Sequence, residues 1–149
     1  MGKVALSTLA NGQLYLDANI IIYAVERHPD YRCVIEQLFA LIDAGQAGAV
    51  TSELTLAECL VRPFAENDLA RQQLYQAAVS SRTAFTVVPI SNSILVAAAQ
   101  LRAQHKQRLP DAIHLATAVA ANCTGFITND LLIKPVAGIS IVQLCDIIP

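Results

Sequence analysis

Tryptophan is absent from the 149 residues, methionine occurs once, and aromatic residues make up only 5% of the chain. Tyr15, Tyr23, Tyr31 and Tyr75 form no pattern of the kind that stacks successive bases of a single strand, so core or interface filling is their expected role. Charge is scarce as well, at 15% against about 25% in an ordinary soluble domain. With 54% hydrophobic residues, that scarcity excludes intrinsic disorder. The net charge of −2 excludes a protein that holds nucleic acid by a broad basic surface, while leaving open chemistry in which a metal ion supplies the positive charge. Long hydrophobic runs are missing too. Ile20 to Val25 and Ile94 to Ala99 fall far short of the ~18 residues needed to span a bilayer.

Other absences narrow the field further. No G-x-G-x-x-G follows the first expected strand, which weighs against a dinucleotide site. Cys33, Cys59, Cys123 and Cys145 form no C-x-x-C pair or zinc cluster, and their apolar neighbours mark them as small buried thiols in a reducing compartment. The N-terminal stretch is a poor signal peptide, and Leu6 stands where myristoylation requires Ser or Thr, so a cytoplasmic location is expected. No repeat or Pro/Gly/Ser linker divides residues 1–149, which read as one domain. A domain of that size buries roughly 68–70% of its unfolded surface and needs no disulfide or structural metal.

Strand-like and helix-like segments alternate along the chain. Leu14 to Leu16, Ala49 to Thr51, Phe85 to Val88, Phe126 to Thr128 and Ile139 to Leu144 are the expected strands. Between them, Ile20 to Val25 is a short helix, and Val34, Leu38, Leu41 and Ile42 recur at helical spacing before Gly45. Ser52 caps a helix that should stop near Pro63, and Asp68 caps another reaching Val79. Ile94, Ala97, Ala98 and Leu101 mark a further helix to Lys106. Pro110 stands in the first turn of a last helix that is apolar nearly all round, and therefore central. This alternation predicts an α/β fold, a three-layer sandwich with a mainly parallel sheet of about five strands flanked by helices. Ligands of such sheets gather beyond the carboxyl ends of the strands.

Asp17, Asp111 and Asp130 stand where strands end or a central helix begins, and Glu58 lies about two turns into the helix after the second strand. Converging carboxylates repel, and a divalent cation removes the conflict; oxygen ligands without Cys or His select Mg²⁺ or Mn²⁺ over zinc. Such a site suits phosphodiester hydrolysis. Taken singly, Asp17 is also a helix cap, Asp111 a charge on a helix dipole, Asp130 a turn residue and Glu58 part of a solvated face. Glu53, about 140° round the helix from Glu58, belongs to the helix dipole.

The segments Leu16-Asp17-Ala18-Asn19, Thr51 to Glu58, Leu109 to Ala118 and Ile127-Thr128-Asn129-Asp130 resemble, in order and spacing, those of the PIN-domain family. D-A-I-H-L-A-T-A from Asp111 is the most specific of them. The resemblance covers nearly the whole chain and is greatest to single-domain toxins of bacterial toxin–antitoxin pairs, the VapC type. It departs from the family at Ala18, where a hydroxyl residue is common, and at Leu131-Leu132, where polar residues are usual.

The resemblance implies a PIN-like (Rossmann-like) fold and a Mg²⁺- or Mn²⁺-dependent ribonuclease. Its acidic metal site maps onto Asp17, Glu58, Asp111 and Asp130, with Asn19 and Thr128 orienting carboxylates. It also implies an RNA substrate and a cognate antitoxin, and the apolar composition fits a homodimer. His114, three residues after Asp111, reads as a buried, hydrogen-bonded histidine rather than a catalytic base, while His28 and His105 should be exposed. Arg108 and Lys134 are either phosphate contacts or plain surface charges. Two other functions compete. One is a non-catalytic binding module on the same fold. The other is a phosphatase of the haloacid-dehalogenase class, disfavoured because Asn19 stands where that chemistry needs a second acid.

Overall fold

A computed structural model describes residues 2–149. Five strands form one all-parallel sheet: β2 (Gln13–Leu16), β3 (Gly48–Ser52), β4 (Phe85–Val88), β5 (Gly125–Thr128) and β6 (Ser140–Gln143), in the order β4-β3-β2-β5-β6. Six helices connect them: α1 (Ala18–Glu26) and α2 (Arg32–Asp43), α3 (Glu53–Ala65) and α4 (Leu69–Ala78), then α5 (Asn92–His105) and α6 (Leu109–Ala120). A separate pair, β1 (Val4–Ala5) with β7 (Ile147–Ile148), ties the two ends of the described chain together in parallel. Among the described residues no helix is long and apolar enough to cross a membrane.

The central strand explains the layering. Successive side chains of a strand point to opposite faces. Leu14 and Leu16 accordingly join the core on one side, with Ile20 of α1, Val34, Leu38 and Ile42 of α2, and Tyr75 of α4. Tyr15 joins the other, with Val50, Phe126, and Leu115 and Ala118 of α6. On that second side α5 packs outside α6 through Ile94 and Ala98 against Ala112 and Ala116. Because β2 and β5 are covered on both faces, Leu14 to Leu16 and Phe126 to Ile127 are continuously apolar rather than alternating.

Local sequence sets most element ends. The Ser52 hydroxyl accepts from the Leu54 amide at 3.0 Å, and the Asp68 carboxylate accepts from the Arg71 amide at 3.0 Å. Gly45 follows α2 with φ +70°, a conformation that suits glycine. Pro63, expected to end α3, lies inside its last turn. Its ring is buried, and the Glu66 amide still reaches the Arg62 carbonyl at 2.9 Å, so the turn closes without the proline donor. Two of the four cysteines depart from expectation: Cys59 and Cys123 are buried, but Cys33 and Cys145 are exposed. Cys33 sits one position before Val34, on the solvent side of α2, where apolar neighbours in sequence are not neighbours in space.

Burial makes a direct stability contrast available. Leu38 is fully buried, whereas Leu131 is 81% exposed. Leu38→Ala is expected to cost about 2–5 kcal/mol, and Leu131→Ala to stay within about 0.5 kcal/mol of the parent, both measured by urea unfolding.

Candidate active site

Strands β3 and β4 extend the sheet to one side of β2, and β5 and β6 to the other. The strand order therefore reverses beside β2, and a crevice opens beyond the carboxyl ends there. Asp17 follows β2 directly and Asp130 lies two residues beyond β5. Helix α3 leaves this edge of the sheet and carries Glu58 in its second turn. Helix α6 returns toward the opposite edge, so its first turn, with Asp111, begins here. The four acids line one cleft of about 360 Å³, together with Ala18, Asn19, Ile22, Arg108 and Pro110.

Asp17 is the most firmly held. As N-cap of α1 it accepts from the Ala18 amide through Oδ1 at 2.8 Å. Its Oδ2 accepts from the Thr128 hydroxyl at 2.7 Å and from Asn19 Nδ2 at 3.4 Å. The same Thr128 oxygen accepts from the Asp130 amide at 3.0 Å, and Asn19 Oδ1 accepts from the Asn129 amide at 3.2 Å. Thr128 and Asn19 thus join the turn after β2 to the turn after β5. Gln143 Nε2, reaching from β6, donates to the Asp130 carbonyl at 3.2 Å and fastens that turn from below.

His114 is the residue whose position the sequence least revealed. It is 1% exposed, and its Nε2 lies 3.1 Å from Glu58 Oε1 and 3.9 Å from Asp17 Oδ1. Nδ1 lies 2.5 Å from the hydroxyl of the buried Tyr15. It is buried and hydrogen-bonded as expected, but it also faces the acids, which contradicts the expectation of a site with no nearby histidine. The signal was its spacing, one helical turn from Asp111. Burial alone would lower the His114 pKa, but the hydrogen-bonded Glu58 and the charges of Asp17, Glu58 and Asp111 hold it above its usual value. Burial, and then the charge of Asp17, raise Tyr15 well above the usual tyrosine range, so the phenol keeps its proton.

Asp111 and Asp130 are bridged by Arg108, whose Nε donates to Asp111 Oδ2 at 2.6 Å and whose Nη2 donates to Asp130 Oδ2. Burial raises the Asp111 pKa even against this guanidinium. Lys134 does not line the cleft; its ammonium donates to the Lys106 carbonyl at 3.1 Å. His28, expected to be exposed, is half-buried against the stacked pair Tyr23 and Tyr31, at ring distances of 4.8 and 5.1 Å. Glu53 keeps to the first turn of α3, and one of its oxygens accepts from the Ile90 amide at 3.4 Å.

A divalent cation fits this donor set. One ligand atom each from Asp17, Glu58 and His114 lies within 4.8 Å of the others. Asp111 and Asp130 add carboxylates to the same cleft. The hydrogen bonds to Asp17 are of the kind that fix a ligand's orientation.

Comparison with known proteins agrees with the architecture. Residues 14–139 match the PIN domain family. No curated protein matches in sequence. Three solved structures of similar fold are toxin–antitoxin assemblies. VapBC2 from Rickettsia felis bound to a DNA fragment from its promoter superposes with a TM-score of 0.68 at 20% identity, over 88% of this chain and 98% of that one. A toxin–antitoxin complex from Klebsiella pneumoniae gives 0.62 at 25% identity, over 88% and 97%. DNA-bound VapBC from Salmonella typhimurium gives 0.62 at 19%, over 89% and 98%.

The hydroxyl of Tyr15 is the buried partner of His114, so Tyr15→Phe leaves that ring nitrogen unsatisfied. The substitution is expected to cost about 1–3 kcal/mol of stability with little change in side-chain volume, read from urea unfolding in EDTA.

Proposed function

The chain belongs to the PIN domain family, and from that premise we propose that it is a Mg²⁺- or Mn²⁺-dependent endoribonuclease, the toxin of a toxin–antitoxin pair. The observation that carries this reading is the convergence of Asp17, Glu58, Asp111 and Asp130 on one cleft at the strand-order reversal. The similar solved complexes support a cognate antitoxin as partner. A homodimer in the cytoplasm completes the proposal.

Asp17, Glu58, Asp111 and Asp130 would hold the metal. When bound, a divalent ion offsets the charge that develops on a phosphoryl group and makes water a better nucleophile at neutral pH. The chain itself keeps the carboxylates in place before RNA arrives. Thr128, Asn19 and the Ala18 amide fix Asp17, and Tyr15 and His114 fix Glu58 from behind. Hydrolysis breaks one P–O bond of the RNA backbone, and water supplies the hydroxyl to phosphorus and the proton to the departing oxygen. With a net charge of −2, the surface offers little general attraction for RNA, so target choice falls to RNA shape and contacts around the cleft.

The purified protein, free of antitoxin, is expected to cut a structured-RNA pool at discrete positions in Mg²⁺ or Mn²⁺ and not in EDTA. Asp17→Asn and Asp111→Asn should fold and lose that cleavage. A folded protein that neither cuts RNA nor binds Mn²⁺ would instead be a binding module. Thr128→Val, which removes the hydroxyl donor to Asp17, is expected to weaken Mn²⁺ binding by about 10–100-fold, as measured by calorimetric titration.

A further inference from the structure

The cleft carries its own cation. Arg108 is the sole lysine or arginine among the described residues that line it. Its guanidinium spans two carboxylates from separate parts of the fold, taking Oδ2 of Asp111 and Oδ2 of Asp130. Asp130 Oδ1 is already engaged by the Leu132 amide at 2.9 Å, so the oxygen held by Arg108 is the one left for the cleft. The planar fork of an arginine can bridge two carboxylates; the single ammonium of a lysine matches that geometry poorly.

Arg108 is poorly anchored otherwise. It occupies the N-cap of α6 with an extended backbone and no capping side chain, and its side chain is 53% exposed. The two carboxylates are the partners that hold the guanidinium. The half-exposed guanidinium keeps contact with water, which screens both pairs from the arginine side, and a cation of higher charge density can take its place.

Resting on the metal-dependent reading above, we propose that Arg108 is an internal counter-cation. It bridges Asp111 and Asp130 and offsets one of their two charges while no metal is bound, competes with the divalent ion for their oxygens, and on release contacts an RNA phosphate in the same cleft. The protein thereby avoids leaving two facing carboxylates uncompensated in its metal-free form. It also gains a positively charged side chain at the cleft only when the acids are otherwise occupied. Lys134, whose ammonium donates to the Lys106 carbonyl, does not line the cleft.

The test compares the parent, Arg108→Gln and Arg108→Lys by Mn²⁺ titration without RNA, using the electron paramagnetic resonance of free Mn²⁺. Circular dichroism checks the fold of each variant. Arg108→Gln is expected to bind Mn²⁺ about three- to tenfold more tightly, the factor that loss of two solvent-screened ion pairs implies, with Arg108→Lys in between. Binding of a 2′-O-methylated oligoribonucleotide, which resists cleavage, is then measured against salt. In Mn²⁺ the slope of log K on log salt should be shallower by about 0.7 for Arg108→Gln, the loss of one phosphate contact on a single strand. In EDTA the slopes of the two proteins should coincide.

Equal or weaker Mn²⁺ binding by Arg108→Gln, with the parent binding normally, would overturn the competition and leave the metal site standing. An unchanged slope in Mn²⁺ would overturn the phosphate contact. Absence of Mn²⁺ binding in all three proteins would overturn this proposal and the metal-dependent reading together.

Discussion

Four carboxylates at one end of a parallel sheet repel one another, and much of the local structure answers that repulsion. Asp17 receives a backbone amide, a hydroxyl and a side-chain amide. Glu58 faces the imidazole of His114, which Tyr15 holds from behind. Asp111 and Asp130 share one guanidinium. The partners come from β2, α1, the residue before α6, α6 itself and β5, so the acidic cleft is bound up with the packing of the sheet's centre. Unpaired buried charge costs far more than an exposed one, which is why the deepest acid, Asp17, has the most donors.

The polar groups behind the cleft are as ordered as those that line it. Thr51 donates from its hydroxyl to the Leu16 carbonyl at 2.8 Å and meets the Thr55 hydroxyl at 2.7 Å, all in buried surroundings. These bonds fix the last residue of β2 against the start of α3, and with it the separation of Asp17 and Glu58. Tyr15 stacks on Phe126 at 4.8 Å between ring centres, joining β2 to β5. Asp17, Glu58 and Asp111 are thus carried at the start of or within helices, and the turn that carries Asp130 is tied to Thr128 and Gln143. Arg108 is held less firmly, being half-exposed and anchored at its tip by the acids alone.

Strands were readable because short β-branched and apolar runs end in punctuating residues. Phe85 to Val88 coincides with its observed bounds, and each end of the other strands of the sheet lies within one residue of the expected one. The caps at Ser52 and Asp68 were readable for a similar reason, since a capping side chain bonds to its own neighbours. The two-residue strands β1 and β7 left no such trace. Each is stabilised by a partner more than a hundred residues away, and neither is long enough to show a period. Pro63 misled because its tolerance in α3 depends on burial and on the turn that follows, which local sequence does not report.

What the sequence determined by itself was the alternation of strands and helices, and thus the parallel sheet and the edge at which acids would gather. Segment order and spacing sufficed to bring Asp17, Glu58, Asp111 and Asp130 to that edge, because right-handed crossovers leave few alternatives. Tertiary structure decided which group answers which charge. That His114 turns toward Glu58 and Asp17, that Tyr15 supplies its second hydrogen bond, and that Arg108 spans Asp111 and Asp130 all depend on distances between residues remote in the chain. Electrostatic and hydrogen-bond partners are chosen within a few ångströms, a scale set by packing rather than by sequence spacing.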